Sequence, residues 1–305
     1  MPGVLKRAAT IAGGLLCVIA AALLIKRGIV LGDALGDRLS QVRPAAFAMA
    51  LGLYLGGSLL LGYAWIVLVR SVASGRPRAW PLFRAHLRAQ VAKYLPGNVF
   101  HFAYRHVAAR REGVAHASLA AALALEASLL LAAAGVIALG VVADPRLDHL
   151  VPWARHAVWL APLFAIAAWL ALSFIAPRFG VPKKPMSQRA PKLALVLAIN
   201  IVFFLLAGCA LRELHPMPEA LPFSAWFGWL ALAWLVGYVT PGAPAGLGLR
   251  EAVLVLGLSP TLGDSEALAI ALLYRLVTVI ADGVLAAVGF IGSRSERVSE
   301  EDATP

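Results

Sequence analysis

Charge is scarce in this chain: 14% of its 305 residues are Asp, Glu, Lys or Arg, against about 25% in an ordinary soluble protein. Acids are scarcer than bases, 16 against 27, which leaves a formal charge of +11. The two cysteines, Cys17 and Cys209, both fall inside apolar runs, so they suggest neither a disulfide framework nor a metal site and read as packing residues. No P-loop, zinc-ligand spacing or nucleophile elbow is present, and Gly246-Leu247-Gly248 is too short for a nucleotide loop. No catalytic residue, metal or cofactor is expected.

Apolar residues fill the chain instead, at 61% of the total and a mean hydropathy of +0.80. That composition defines an integral membrane protein. A charge of +11 on a soluble protein would suggest nucleic acid as a partner. Here the basic residues gather in particular loops between apolar runs, which is the signature of membrane topology, so no nucleic-acid partner is expected.

Residues 8–25, bracketed by Lys6-Arg7 and Lys26-Arg27, read as a retained first helix: the run is long for a signal peptide and no small-residue cleavage site follows. Residues 28–43 alternate apolar and charged positions at helical spacing and read as an interfacial amphipathic helix. Further spans are expected at 45–69, 118–143, 157–177, 193–211 and 266–292, each long enough for a hydrocarbon core of about 30 Å. From Arg70 to Arg111 there are nine Lys or Arg and no acid, so this region begins and ends in the cytoplasm. The loop at 178–192 is equally basic and also inside, whereas 144–156 and 212–222 are balanced or acidic and lie outside. Trp80, Trp153, Trp226 and Trp229 fall near the expected interfaces, as an aromatic belt would place them.

Two interruptions break this pattern. Pro96-Gly97 is followed by Arg105, and Pro241-Gly242, with Pro244, Gly246 and Gly248, is followed by Arg250; each arginine lies nine residues past its proline. Proline removes a helical hydrogen bond and glycine tolerates positive φ, so each site frees backbone groups that lipid cannot satisfy. Paired breaks in corresponding places of two halves point to the central site of a transporter. The expected fold is therefore all-α: about six full spans plus two re-entrant broken-helix hairpins arranged as an inverted repeat. Residues 1–292 form one transmembrane domain, 293–305 a charged, disordered tail, and both termini are cytoplasmic. A rival count makes 223–239 a complete span and puts the tail outside. Simple kinks are the bland reading of either motif alone.

Ionisable groups within spans are costly and mark a pathway or an internal pair. Glu126, Arg275 and Asp282 form the expected buried charge network, in which the structural reading has Glu126 neutralising Arg275. Arg105, Arg250, Glu251 and His101 are the candidate headgroup-binding residues, because an arginine fork matches phosphate bidentately and a half-helix start adds unpaired N–H groups. For Arg250 and Glu251 the alternative is capping and pairing at a helix start; for His101 it is a solvated face shared with Arg105, Ala108 and Glu112.

These residues carry a resemblance. Lys93-Tyr94-Leu95-Pro96-Gly97-Asn98 with Arg105 and Arg110-Arg111-Glu112-Gly113, and the run from Pro241 through Gly246-Leu247-Gly248 to Arg250-Glu251, resemble the lysylphosphatidylglycerol synthase transmembrane family, a flippase-like domain. The resemblance covers the chain to about Gly292. It implies a stand-alone member without the aminoacyl transferase domain, in the cytoplasmic membrane of a bacterium, that translocates an anionic, aminoacylated, polyprenyl or hopanoid-type lipid. A lipid-modifying enzyme is a second candidate partner. Ala243-Pro244 stands where the family often shows a more glycine-rich turn. Two other functions remain open: a polyprenyl-phosphate glycosyltransferase using Glu126, Glu251 or Asp282, and a non-transporting scaffold.

Overall fold

The structure, a computed structural model, describes residues 41–94, 100–141, 180–182, 184–240 and 244–291, together with a few isolated positions. Every regular element among them is helical. We number the helices α1 (Pro44–Val72), α2 (Ala79–Ala89), α3 (Phe100–Arg111), α4 (His116–Ala138), α5 (Met186–Glu213), α6 (Phe223–Val239), α7 (Leu249–Leu262) and α8 (Asp264–Ile291). Short 3-10 turns at Val91–Tyr94 and Pro244–Gly246 lie beside the two expected breaks.

Among the described residues four helices are long and apolar enough to cross a membrane: α1, α4 with its 3-10 extension, α5 and α8. They match four of the expected spans. The fifth and sixth, at 8–25 and 157–177, and nearly all of the interfacial helix lie outside the described residues, as do Pro96, Gly97, Pro241 and Gly242. Helix α6 starts and ends where the apolar run does; at about 1.5 Å per residue its 17 residues reach about 25 Å, short of a full crossing. Helix α1 starts at Pro44, whose missing N–H costs nothing in a first turn.

The packing is inverted relative to a soluble protein. Large apolar side chains such as Leu276, Val288 and Phe290 face outward, whereas Asp282, Glu126 and Arg105 are buried. This is a multi-pass membrane protein. Without a hydrophobic drive between helices in lipid, close packing at small residues holds them together. The Phe227 ring of α6 fills the space over Gly208 of α5, and the Trp229 indole lies over Gly257 of α7, where a Cβ would sit 2.1 Å from the ring. Trp226 and Trp229 are thus fully buried, not belt residues, with Trp226 Nε1 donating to the Pro218 carbonyl at 3.0 Å. Trp80 is exposed, as a belt residue would be.

Helices α2 and α3 pack on each other as one hairpin, and α6 and α7 as another. The 3-10 turn of the first hairpin touches the 3-10 turn of the second, and α8 packs against α2, α7 and the Val91–Tyr94 turn. The two 3-10 turns therefore meet beside one continuous helix.

Candidate functional site

A cavity of about 130 Å³ opens where the two turns meet. Its lining draws on α1 (Tyr54, Ser58), on the first hairpin (His86, Gln90, Lys93, His101, Arg105), on Glu126 of α4, and on Trp234, Ala245 and Arg250 of the second hairpin. A charge in such a place must be matched, since removing it from water costs several kcal/mol. Four cations and three acids surround the cavity, and the matching is specific.

Arg105 of α3 is 3% exposed and donates from both terminal nitrogens to Glu126, at 2.7 and 2.9 Å. Its guanidinium lies over the Trp65 ring at 4.5 Å and near the Phe102 ring at 5.4 Å. Both geometries favour arginine over lysine, because only the planar fork is bidentate and stacks.

Asp282, with no exposed surface, receives the Lys93 ammonium at 2.7 Å and the Tyr94 hydroxyl at 2.6 Å, both on Oδ2. Lys93 also donates to Gln90 Oε1 at 3.3 Å. Two turns earlier on α8, Arg275 sits with its Nε 3.6 Å from Glu251 and donates from Nη1 to the Ala245 carbonyl at 3.3 Å. Its guanidinium lies over Tyr94 at 5.3 Å. Glu251 meanwhile accepts the Gly248 backbone N–H at 2.7 Å, a capping contact that closes the start of α7. Arg275 and Asp282 thereby tie α8 to one interruption each.

The turn before α7 needs this support. Ala245, Gly246 and Gly248 have φ of 49°, 68° and 83°, and the alanine in this left-handed region costs roughly 1 kcal/mol. Glycine at 246 has a second cause. The Arg250 side chain threads between Gly237 and Gly246, where added Cβ atoms would stand 2.7 Å from its Cγ and 2.6 Å from its Nε respectively.

Arg250 is the fourth cation. Its guanidinium lies 5.8 Å from the Trp234 ring, its Nε is buried without a partner, and no carboxylate pairs with it among the described residues. A second, smaller pocket adjoins it, lined by Leu230, Leu254 and Ala271 together with Glu251 and Arg275, and shared at Tyr54, Phe203, Trp234 and Arg250.

The expected site residues are thus distributed as follows. Arg105, Arg250 and His101 line one cavity, while Glu251 faces the smaller one and caps its own helix. Glu126 does not neutralise Arg275: it is bound to Arg105, and Arg275 lies against Glu251. Sequence reasoning passed over Lys93, Tyr94, His86 and Gln90 as site residues. Lys93 had a signal, since it directly precedes the apolar stretch at the break. No group of three metal-ligating side chains occurs among the described residues.

Fold and site together define a polytopic helical membrane protein with a charged cavity between two interrupted hairpins. The family model described as the lysylphosphatidylglycerol synthase TM region matches residues 10–286, and the chain belongs to that family. Comparison with curated proteins gives no match. Membership ties the chain to a role with membrane lipids.

Proposed function

We propose that this protein translocates a lipid with an anionic phosphate across the membrane, and that Arg250 receives the phosphate. The observation that carries this reading is the unmatched guanidinium: three cations of the cavity region have carboxylates and Arg250 has none among the described residues. A buried, permanently charged fork without a counter-ion is a receptor for a bidentate anion. Arg105, whose fork is occupied by Glu126, contributes field rather than a clamp. Glu251 and Gly248 act as positioning residues for Arg250.

In this reading the two hairpins are re-entrant halves of an inverted repeat, and spans at 8–25 and 157–177 complete six. The contact between the 3-10 turns supports such an arrangement, because irregular backbone at membrane depth needs protein or a watery cavity around it. The transferase reading needs a free carboxylate as a base, and Glu126, Glu251 and Asp282 are all engaged by cations. That favours translocation.

The test is transfer of acyl-labelled lipid in proteoliposomes, read by dithionite accessibility. Arg250→Lys keeps the charge and loses the fork, and should slow transfer at least about tenfold, the equivalent of one charge-assisted hydrogen bond. Wild-type transfer by Arg250→Lys and Arg250→Gln variants of normal abundance would remove Arg250 from the site.

A further inference from the structure

We infer that the cavity selects a phospholipid whose headgroup beyond the phosphate is uncharged and hydroxyl-bearing, and that it rejects an aminoacylated lipid carrying an ammonium. This rests on the translocation reading above and narrows its substrate.

The first ground is the charge balance. Glu126 is the one acid on the lining of the larger cavity among the described residues, and both its oxygens are taken by Arg105. Glu251 is held by Arg275 and by the Gly248 N–H. Asp282 Oδ1 has no partner, but Asp282 has no exposed surface and does not line the cavity. The stretches that follow Tyr94 and Thr240 in sequence, 95–99 and 241–243, contain no acidic residue. An ammonium entering here would meet Lys93, Arg105 and Arg250 and find no free carboxylate. Like charges at such range in a low-dielectric site repel strongly.

The second ground is a set of neutral polar groups on the same wall. Lys93, which can only donate, points at Gln90 Oε1 and so fixes the orientation of that amide. Gln90 Nε2 then faces His86 Nε2 at 2.9 Å and donates to it. The imidazole of His86, with an accepting Nε2, is neutral and carries its proton on Nδ1. Nδ1 of His101, on the opposite helix of the hairpin, is buried without a hydrogen-bond partner. Neutral ring nitrogens of this kind suit hydroxyl groups. Being uncharged, they give an ammonium no counter-ion.

The experiment compares acyl-labelled phosphatidylglycerol with acyl-labelled lysylphosphatidylglycerol in phosphatidylcholine proteoliposomes, scored by dithionite accessibility. The unmodified lipid should move at least about tenfold faster, a modest return for one uncompensated charge. In His101→Glu, which adds a carboxylate to the lining, that preference should shrink by about tenfold or invert. Equal or faster movement of the lysyl lipid in the wild type would overturn this inference and leave translocation standing. An unchanged preference in a folded His101→Glu variant would also overturn it. If neither lipid moves, the translocation reading falls and this inference with it. The wild-type comparison decides the matter even if the variant fails to fold.

Discussion

Replacing Glu126 by Gln strands Arg105 in a site where only 3% of its surface is exposed. The guanidinium cannot shed its proton, so the variant must either keep an uncompensated charge or shift the hairpin to reach water. Breaking one side of a buried ion pair costs about 3–5 kcal/mol. The Trp65 and Phe102 rings remain beside the cation and retain up to about 2 kcal/mol of attraction, so the low end, about 3 kcal/mol, is expected. The double variant Arg105→Gln with Glu126→Gln removes both charges and leaves two amides able to bond each other. It should therefore be more stable than Glu126→Gln alone. Unfolding in mixed micelles, followed by tryptophan fluorescence, gives the free energies for a double-mutant cycle, with an expected coupling of at least about 2 kcal/mol. Glu126→Gln combined with Arg275→Gln is the control. Those two residues do not pair, and their effects should add within about 0.5 kcal/mol. Additive behaviour of Arg105 and Glu126, or a single-variant cost below about 1 kcal/mol, would refute the buried pair as drawn.

Gly237→Ala introduces a Cβ 2.7 Å from Arg250 Cγ within a helix that otherwise gains about 1 kcal/mol from alanine, so lipid transfer should fall while thermal stability changes little. Gly246→Ala adds left-handed strain of roughly 1–2 kcal/mol, and should lower both transfer and melting temperature; an unaffected melting temperature would contradict the φ of 68° at that residue. With Cys17 and Cys209 replaced, single cysteines at Leu150 and Met186 should label from opposite sides of the membrane, and equal labelling from outside would overturn the loop-charge topology. At the end of α3, the Arg78 guanidinium holds the Glu112 carboxyl below its ordinary value of 4.5. A depressed carboxylate contributes stability above its unfolded pKa that is lost as pH falls through the folded one, so acid titration should weaken the wild type slightly below pH 4.5 and leave Glu112→Gln flat over that step. The effect is small because Arg78 is mostly exposed. A larger acid step in the variant than in the wild type would reverse the sign.

Much of the architecture was legible because lipid imposes one simple requirement, an apolar run of sufficient length with its backbone bonds closed internally. That is why the ends of α6 could be read from 223–239 and why α1, α4 and α8 lie within a few residues of the expected spans, whereas α5 begins at Met186, inside the expected loop 178–192. The belt reading of Trp226 and Trp229 went wrong for a related reason. Tryptophan near a span end serves equally as an interfacial anchor or as a packing ring, and only the glycine opposite it, Gly257 for Trp229, decides between them.

Sequence alone determined which charges are unusual: Glu126, Arg275 and Asp282 stand out in apolar surroundings, and Arg105 and Arg250 stand out by their common distance from a broken helix. It also determined that these groups need partners, because the cost of a buried charge is independent of where the partner comes from. The choice of partner belonged to the tertiary structure. Arg105 reaches Glu126 on the next helix and Lys93 reaches Asp282 near the other end of the chain through the rotation and depth of the helices, quantities that a run of apolar residues does not encode. The same packing left Arg250 as the one cation of the four without a carboxylate among the described residues, since Glu251, its neighbour in sequence, points away along α7 to Arg275 and to the Gly248 N–H.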